Sequence, residues 1–183
     1  ERLDVLAGLK RLDRVRPERD RADQAELEAL GARHVHRFLR DAGADAVKFQ
    51  TWKTEKIVTR NAELAVYQEN NISDKTKSQF KMLKELELSY DNFEVVKNHC
   101  DEIGIQFLST PDEIDSLDFL CNFNLPFIKL GSGDVTNIPF LRLVGSRHID
   151  VVLSTGMSYL GDVEIAYRTL IEAGAKSVSL LHC

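Results

Sequence analysis

From Ala46 to the last residue, short β-type apolar runs alternate with stretches whose apolar residues recur at helical spacing. The runs are Ala46–Gln50, Ile105–Ser109, Pro126–Gly131, Val151–Ser154 and Ser177–His182. Between them, Phe93, Val96 and Cys100 share one helix face, and Ile114, Leu117, Leu120 and Cys121 share a second. Leu141 with Val144 marks a short third, and Val163, Tyr167, Leu170 and Ile171 a fourth that Gly174 is placed to stop. Asp91 followed by Glu94 reads as a capping box opening the first of these helices. Strands alternating with helices of this length predict parallel βαβ units, and the near-continuous apolar character of the strands predicts burial on both faces.

Two stretches break the rhythm. After the first run an excursion is expected over Thr51 to Asp74, then a helix near Ser78–Leu88 with Phe80, Leu83 and Leu86 inward. A long excursion after a strand is often a functional loop. Residues 1–41 carry no strand-like run. A helix over Asp23 to Arg40 fits a loose stripe of Leu27, Leu30, Val35, Phe38 and Leu39. Basic residues also change type: residues 1–44 hold nine Arg and one Lys, residues 45–183 four Arg and ten Lys. The chain therefore reads as a charged helical lead-in, 1–41, followed by an α/β region, 42–183.

Composition narrows the class. With 43% hydrophobic and 29% charged residues, the 183-residue chain has the balance of a globular protein. Its net charge of −5 supplies no overall basic field for nucleic acid. No apolar run reaches the roughly 20 residues of a membrane helix. Cys100, Cys121 and Cys183 are widely separated, without metal-type pairing, and read as reduced thiols of a cytoplasmic protein, the first two filling core space.

The candidate chemistry lies where the strands end. Lys48 stands inside the first apolar run and Lys129 inside the third; a lysine in such a run is costly unless an anion meets it. Each run ends in polar or small residues: Lys48 with Gln50, Ser109 with Thr110, Lys129 with Ser132, Ser154 with Thr155, and finally His182. In parallel α/β folds ligands bind at the carboxyl ends of the strands. Five converging ends would make a pocket with two cations and several hydroxyls, suited to a phosphate or carboxylate. The competing reading pairs each lysine with an acid, Asp112 or Asp134. His34, His36, His99 and His148 read as surface or packing residues. His182 is left open between packing and function.

Six strings carry a resemblance: Ala42-Gly43-Ala44-Asp45-Ala46-Val47-Lys48-Phe49-Gln50, Met82 to Ser89, Gly104 to Pro111, Ile128-Lys129-Leu130-Gly131-Ser132-Gly133-Asp134, Leu153-Ser154-Thr155-Gly156-Met157 and Leu180-Leu181-His182-Cys183. In this order they resemble the sialic acid synthase family. The resemblance implies a (β/α)8 TIM-type barrel and a reaction that condenses phosphoenolpyruvate with an N-acetylated hexose, typically N-acetylmannosamine, to a nonulosonic acid. Water attacks C2 of the enolpyruvate and phosphate leaves by C–O cleavage. A divalent metal, Mn or Mg, polarises the sugar aldehyde. Carried over by position, Lys48, Thr110, Lys129, Ser132 and Ser154 are the implied phosphoenolpyruvate set. Gln50 is an implied sugar contact, and Asp134 an acid that orients the sugar or handles protons.

The departures matter too. Residues 19–26 do not read as the family's opening strand, and Asp112 stands where an aromatic is usual. The resemblance places the metal ligands beyond Cys183, so the metal's usual ligands are not expected in this chain. First, seventh and eighth barrel strands are not identified, which implies an incomplete barrel and impaired turnover of the chain by itself. A homodimer is a candidate assembly, though not one formed through a C-terminal cap. A legionaminic or pseudaminic acid synthase is the alternative within the family. A non-catalytic anion- or partner-binding α/β fragment is the alternative outside it.

Overall fold

The computed structural model describes residues 40–64 and 78–183. The lead-in helix expected over Asp23 to Arg40 lies outside the described residues except at its end, as do residues 65–77 of the excursion. The described elements are β1 (Ala46–Thr51), α1 (Thr54–Ile57), α2 (Gln79–Leu86), α3 (Tyr90–Ile103), β2 (Gln106–Pro111), α4 (Ile114–Cys121) and β3 (Ile128–Leu130). A 3-10 turn (Ser132–Asp134), α5 (Ile138–Gly145), β4 (Asp150–Ser154), α6 (Leu160–Ala173) and β5 (Ser177–Leu181) follow. All five expected strands form, with ends moved by a few residues. The described residues divide into two compact units. The smaller takes those up to Val47 with Ser89–Phe107; the larger takes those of Lys48–Leu88 and Leu108–Cys183.

In the smaller unit α3 is the principal element. Its cap is Ser89, not Asp91: the extended backbone at Ser89 lets its hydroxyl accept the Asn92 N–H at 3.2 Å, while Asp91 falls in the first turn. There its charge faces the positive end of the helix dipole. Gly104 ends the helix with φ 71°, and Ile105 N–H returns to Cys100 O. Phe93, Val96 and Cys100 are buried as expected, and His99 joins them. Phe93 meets Phe107 edge to face at 6.4 Å between ring centroids.

In the larger unit β3, β4 and β5 form a parallel sheet in that order, with Lys129 opposite Val152 and Leu153 opposite Leu180. β1 pairs with β2 in a separate two-stranded sheet. At its end Asp112 N–H donates to Thr51 O, and the buried hydroxyls of Thr51 and Ser109 share a 2.7 Å bond. Leu117, Leu120, Leu130, Leu141, Val144, Leu153, Ala166 and Leu170 are fully buried. Gly145 permits the approach of α5 to α6: a Cβ there would lie 2.6 Å from both Ala173 Cβ and Leu170 O. Gly174, at φ 110°, caps α6 as its position predicts.

Several inward assignments fail at the margins. Ile114, Tyr167 and Ile171 are exposed, because α4 and α6 bury only the narrower stripes Leu117/Leu120 and Ala166/Leu170. Leu86 is exposed as well, and α2 buries no residue fully. Its neighbourhood is held by charge instead: Glu87 accepts the Thr54 N–H at 2.8 Å, and Lys84 pairs with Glu87 and Glu55. Burial on both faces fails at β5, where Leu180 and Leu181 stay exposed; among the described residues β5 pairs only with β4. Cys100 is buried, whereas Cys121 is half-buried. No described helix is long and apolar enough to cross a membrane.

Candidate functional site

The site belongs to the larger unit and is built on strand ends. Lys129 sits in a three-residue strand between buried Ile128 and Leu130, which alternate to the opposite face. Ser154 is two residues beyond Val152, the register partner of Lys129, and so lies on the same face of the sheet. The Lys129 ammonium donates to Ser154 Oγ at 2.6 Å and to the Leu130 carbonyl at 2.5 Å. Lys48 donates to the carbonyl of Phe49 at 3.4 Å. Among the described residues both lysines thus bond neutral oxygens, and neither forms a direct carboxylate pair.

Lys129 senses the charge of Lys48. Burial pulls the Lys129 pKa below its usual value, and the like charge of Lys48 pulls it further. Lys48 counts as exposed along its side chain, yet loss of solvent around its ammonium also lowers its pKa, with Asp112 acting in the opposite sense. A dianion placed between them would offset both effects.

Two carboxylates complete the cluster. Asp112 follows β2, and its Oδ2 accepts from Gln50 Nε2 at 3.4 Å. Burial, then repulsion from Asp134, pushes its pKa up to about 6, against the pull of the Gln50 bond and Lys48. Asp134 closes the 3-10 turn after β3. Burial raises its pKa too, with the Asn137 amide and Lys129 opposing.

Of the residues singled out in the sequence, Lys48, Gln50, Lys129, Asp134 and Ser154 are joined in this network by bonds or charge. Ser132 is half-buried at the start of the 3-10 turn, and its Oγ lies 3.4 Å from where a Cβ on Gly156 would be. Thr110 is buried near the end of β2, and among the described residues no hydrogen bond ties its side chain to the cluster. His182 is exposed just after β5. His148 is exposed at φ 53° and shares a 2.9 Å bond between its Nδ1 and the Gly174 carbonyl, a structural role.

Sequence reasoning did not place Asp112, Gly156 or Cys183 in the site. The thiol of Cys183 has its pKa lowered by bonding to Ser154 and to the Thr155 main chain. A signal existed for the first two, since both directly follow strand-end hydroxyl motifs. The donor set does not fit a divalent ion. Two ammoniums stand beside the carboxylates, and among the described residues no three His, Cys, Asp or Glu side chains come together to hold a metal.

The family profile described as NeuB family matches residues 37–183. The chain belongs to the NeuB family. It is 38% identical over 148 residues to N,N'-diacetyllegionaminic acid synthase of Legionella pneumophila, covering 79% of this chain and 41% of that protein. It is 35% identical over 142 residues to N-acetylneuraminate-9-phosphate synthase of Drosophila melanogaster, covering 78% and 38%. Among solved structures, N-acetylneuraminic acid synthetase of Leptospira borgpetersenii, in complex with citrate, superposes with a TM-score of 0.66 at 23% identity, covering 83% of this chain and 48% of that one. The spore coat polysaccharide biosynthesis protein SpsE of Bacillus subtilis gives 0.65 at 24%, covering 87% and 41%. These likenesses show the α/β fold of this NeuB chain, and its two partial sheets are consistent with an incomplete barrel. The chain spans less than half the length of the curated relatives it matches.

Proposed function

We propose that this NeuB chain carries the phosphoenolpyruvate-binding part of a synthase that condenses phosphoenolpyruvate with an N-acetylated hexose. The observation that carries the reading is the pair Lys48 and Lys129: two cations, the first near enough to depress the pKa of the second, each bonded among the described residues to neutral oxygens. In the condensation, C3 of phosphoenolpyruvate bonds to the sugar aldehyde carbon, water adds at C2, and the C2–O bond breaks to release phosphate. The lysines and Ser154, with Ser132 and Thr110 nearby, would hold the phosphate and carboxylate and stabilise charge on the leaving group. Gln50 and Asp134 stand on the same network, where they would meet the sugar.

Within that class, a diacetylated sugar of the legionaminic type is the second reading, supported by the 38% identity to the Legionella enzyme. Calorimetric titration of phosphoenolpyruvate into the chain, beside Lys48→Ala and Lys129→Ala, tests the proposal. Saturable binding lost in both variants supports it. No binding by a chain that still melts cooperatively would sink it.

A further inference from the structure

Asp112 is the one member of the cluster to which neither the lysines nor the phosphate assign a task. Its main-chain N–H is fixed at 3.0 Å to the carbonyl of Thr51, the residue after Gln50. That bond sets the end of β2 level with the end of β1 and brings the Asp112 carboxylate against the Gln50 side chain, Nε2 to Oδ2 at 3.4 Å. An ionised carboxylate only accepts hydrogen bonds, and an amide has one donating and one accepting end. The pairing therefore selects one of the two orientations of the Gln50 amide. One Nε2 hydrogen is taken by Asp112, and the carbonyl oxygen Oε1 is turned away from it, toward a ligand.

We propose that Asp112 is a specificity-determining positioning residue, holding Gln50 so that an acceptor oxygen meets a hydroxyl or amide N–H of the second, carbonyl-bearing substrate. The inference rests on the proposed synthase reading and deepens it. A site so arranged favours a substrate that donates at this point and rejects one that offers only an acceptor there, because the mismatch leaves two oxygens facing each other. The groups that face Asp112 are Lys48 and Gln50 from β1, Asp134 from the 3-10 turn, and its neighbour Glu113. Once protonated, Asp112 can donate to Oε1 instead, and the amide loses its fixed orientation. Recognition of the second substrate then depends on a proton that phosphate binding does not require.

The test is titration of N-acetylmannosamine into the chain saturated with phosphoenolpyruvate, for the wild type, Asp112→Leu and Asp112→Asn. Near neutral pH, Asp112→Leu is expected to weaken the sugar about tenfold, while phosphoenolpyruvate affinity holds or rises because a carboxylate facing Lys48 is removed. Asp112→Asn, whose oxygen still accepts from Nε2 but whose amide can also donate to Oε1, is expected to restore sugar binding in part, to within about threefold of the wild type. Wild-type sugar affinity is expected to fall as pH drops through about 6, and the Asn variant to lose that dependence. Asp112→Leu with unchanged sugar affinity, an equal loss of phosphoenolpyruvate binding, or an Asn variant no better than Leu overturns the proposal. If Asp112→Leu does not melt cooperatively, the pH profiles of wild type and Asn variant decide alone. A wild type that binds phosphoenolpyruvate but no sugar overturns this inference and leaves the anion site standing. A wild type that binds neither overturns the synthase reading as well.

Discussion

The ammonium of Lys129 on β3 donates to the hydroxyl of Ser154 on β4 at 2.6 Å, across neighbouring parallel strands. Replacing Lys129 with Met keeps much of the side-chain volume and removes the charge. Phosphoenolpyruvate affinity is expected to fall about 100-fold, near 3 kcal/mol, as for loss of a charged hydrogen bond in a partly desolvated site. Thermal stability is expected to hold or rise, since burial and Lys48 both disfavour the ammonium. Calorimetry read beside a melting curve checks both. A large drop in melting temperature would mean that Lys129 is structural.

Asp112 sets a pH dependence of stability. Its folded pKa, about 6, lies above the ordinary 3.8, so between those values the folded chain binds the proton more tightly than the unfolded chain. Stability from this group is therefore present below the ordinary value and lost as pH rises through about 6. Asp112→Asn is expected to stabilise the chain by about 1–2 kcal/mol at neutral pH, after allowing for solvent screening. The gain should vanish near pH 4. Urea midpoints at the two pH values measure it; an equal gain at both would point to a cause other than the proton.

Gly145→Ala tests the crossing of α5 and α6. The added methyl would lie 2.6 Å from a carbonyl oxygen and a side-chain carbon, so the helices must separate, at a cost of about 3 kcal/mol. Denaturant titration should show a lowered midpoint with unchanged slope. No change would mean the crossing has slack.

Ser89→Ala removes the cap of α3. The loss should be about 1 kcal/mol, with Asp91→Ala costing less because that carboxylate only faces the dipole. The reverse order would restore Asp91 as the cap.

The strands were legible because their apolar runs are short and bounded by small polar residues. Lys48 and Lys129 were legible because charge inside such a run needs an explanation. Less legible was how far each face would be covered. Tyr167 and Ile171 keep helical spacing with Leu170 yet stay exposed, and spacing alone cannot tell a stripe's centre from its margin. Ser89 is not separable from Asp91 in sequence, because Asp91 and Glu94 fit a capping pattern equally well and only backbone angles decide between them. In sequence Asp112 stands out only as a candidate lysine partner and as a departure from the family's usual aromatic. Its bond to Gln50 depends on the register of β1 against β2, which no local pattern encodes.

The glycine after Thr155 gives the site a particular mechanical character. At Gly156 the wall beside Ser132 is main chain, with no rotamer to adjust. On the β1–β2 side the wall is made of Lys48, Gln50 and Asp112, side chains that can swing. On the proposed reading, the site has one fixed jaw and one movable jaw. Changes in ligand preference are accommodated most cheaply on the movable side, so a search for altered selectivity should begin at positions 50 and 112 and leave the glycine alone.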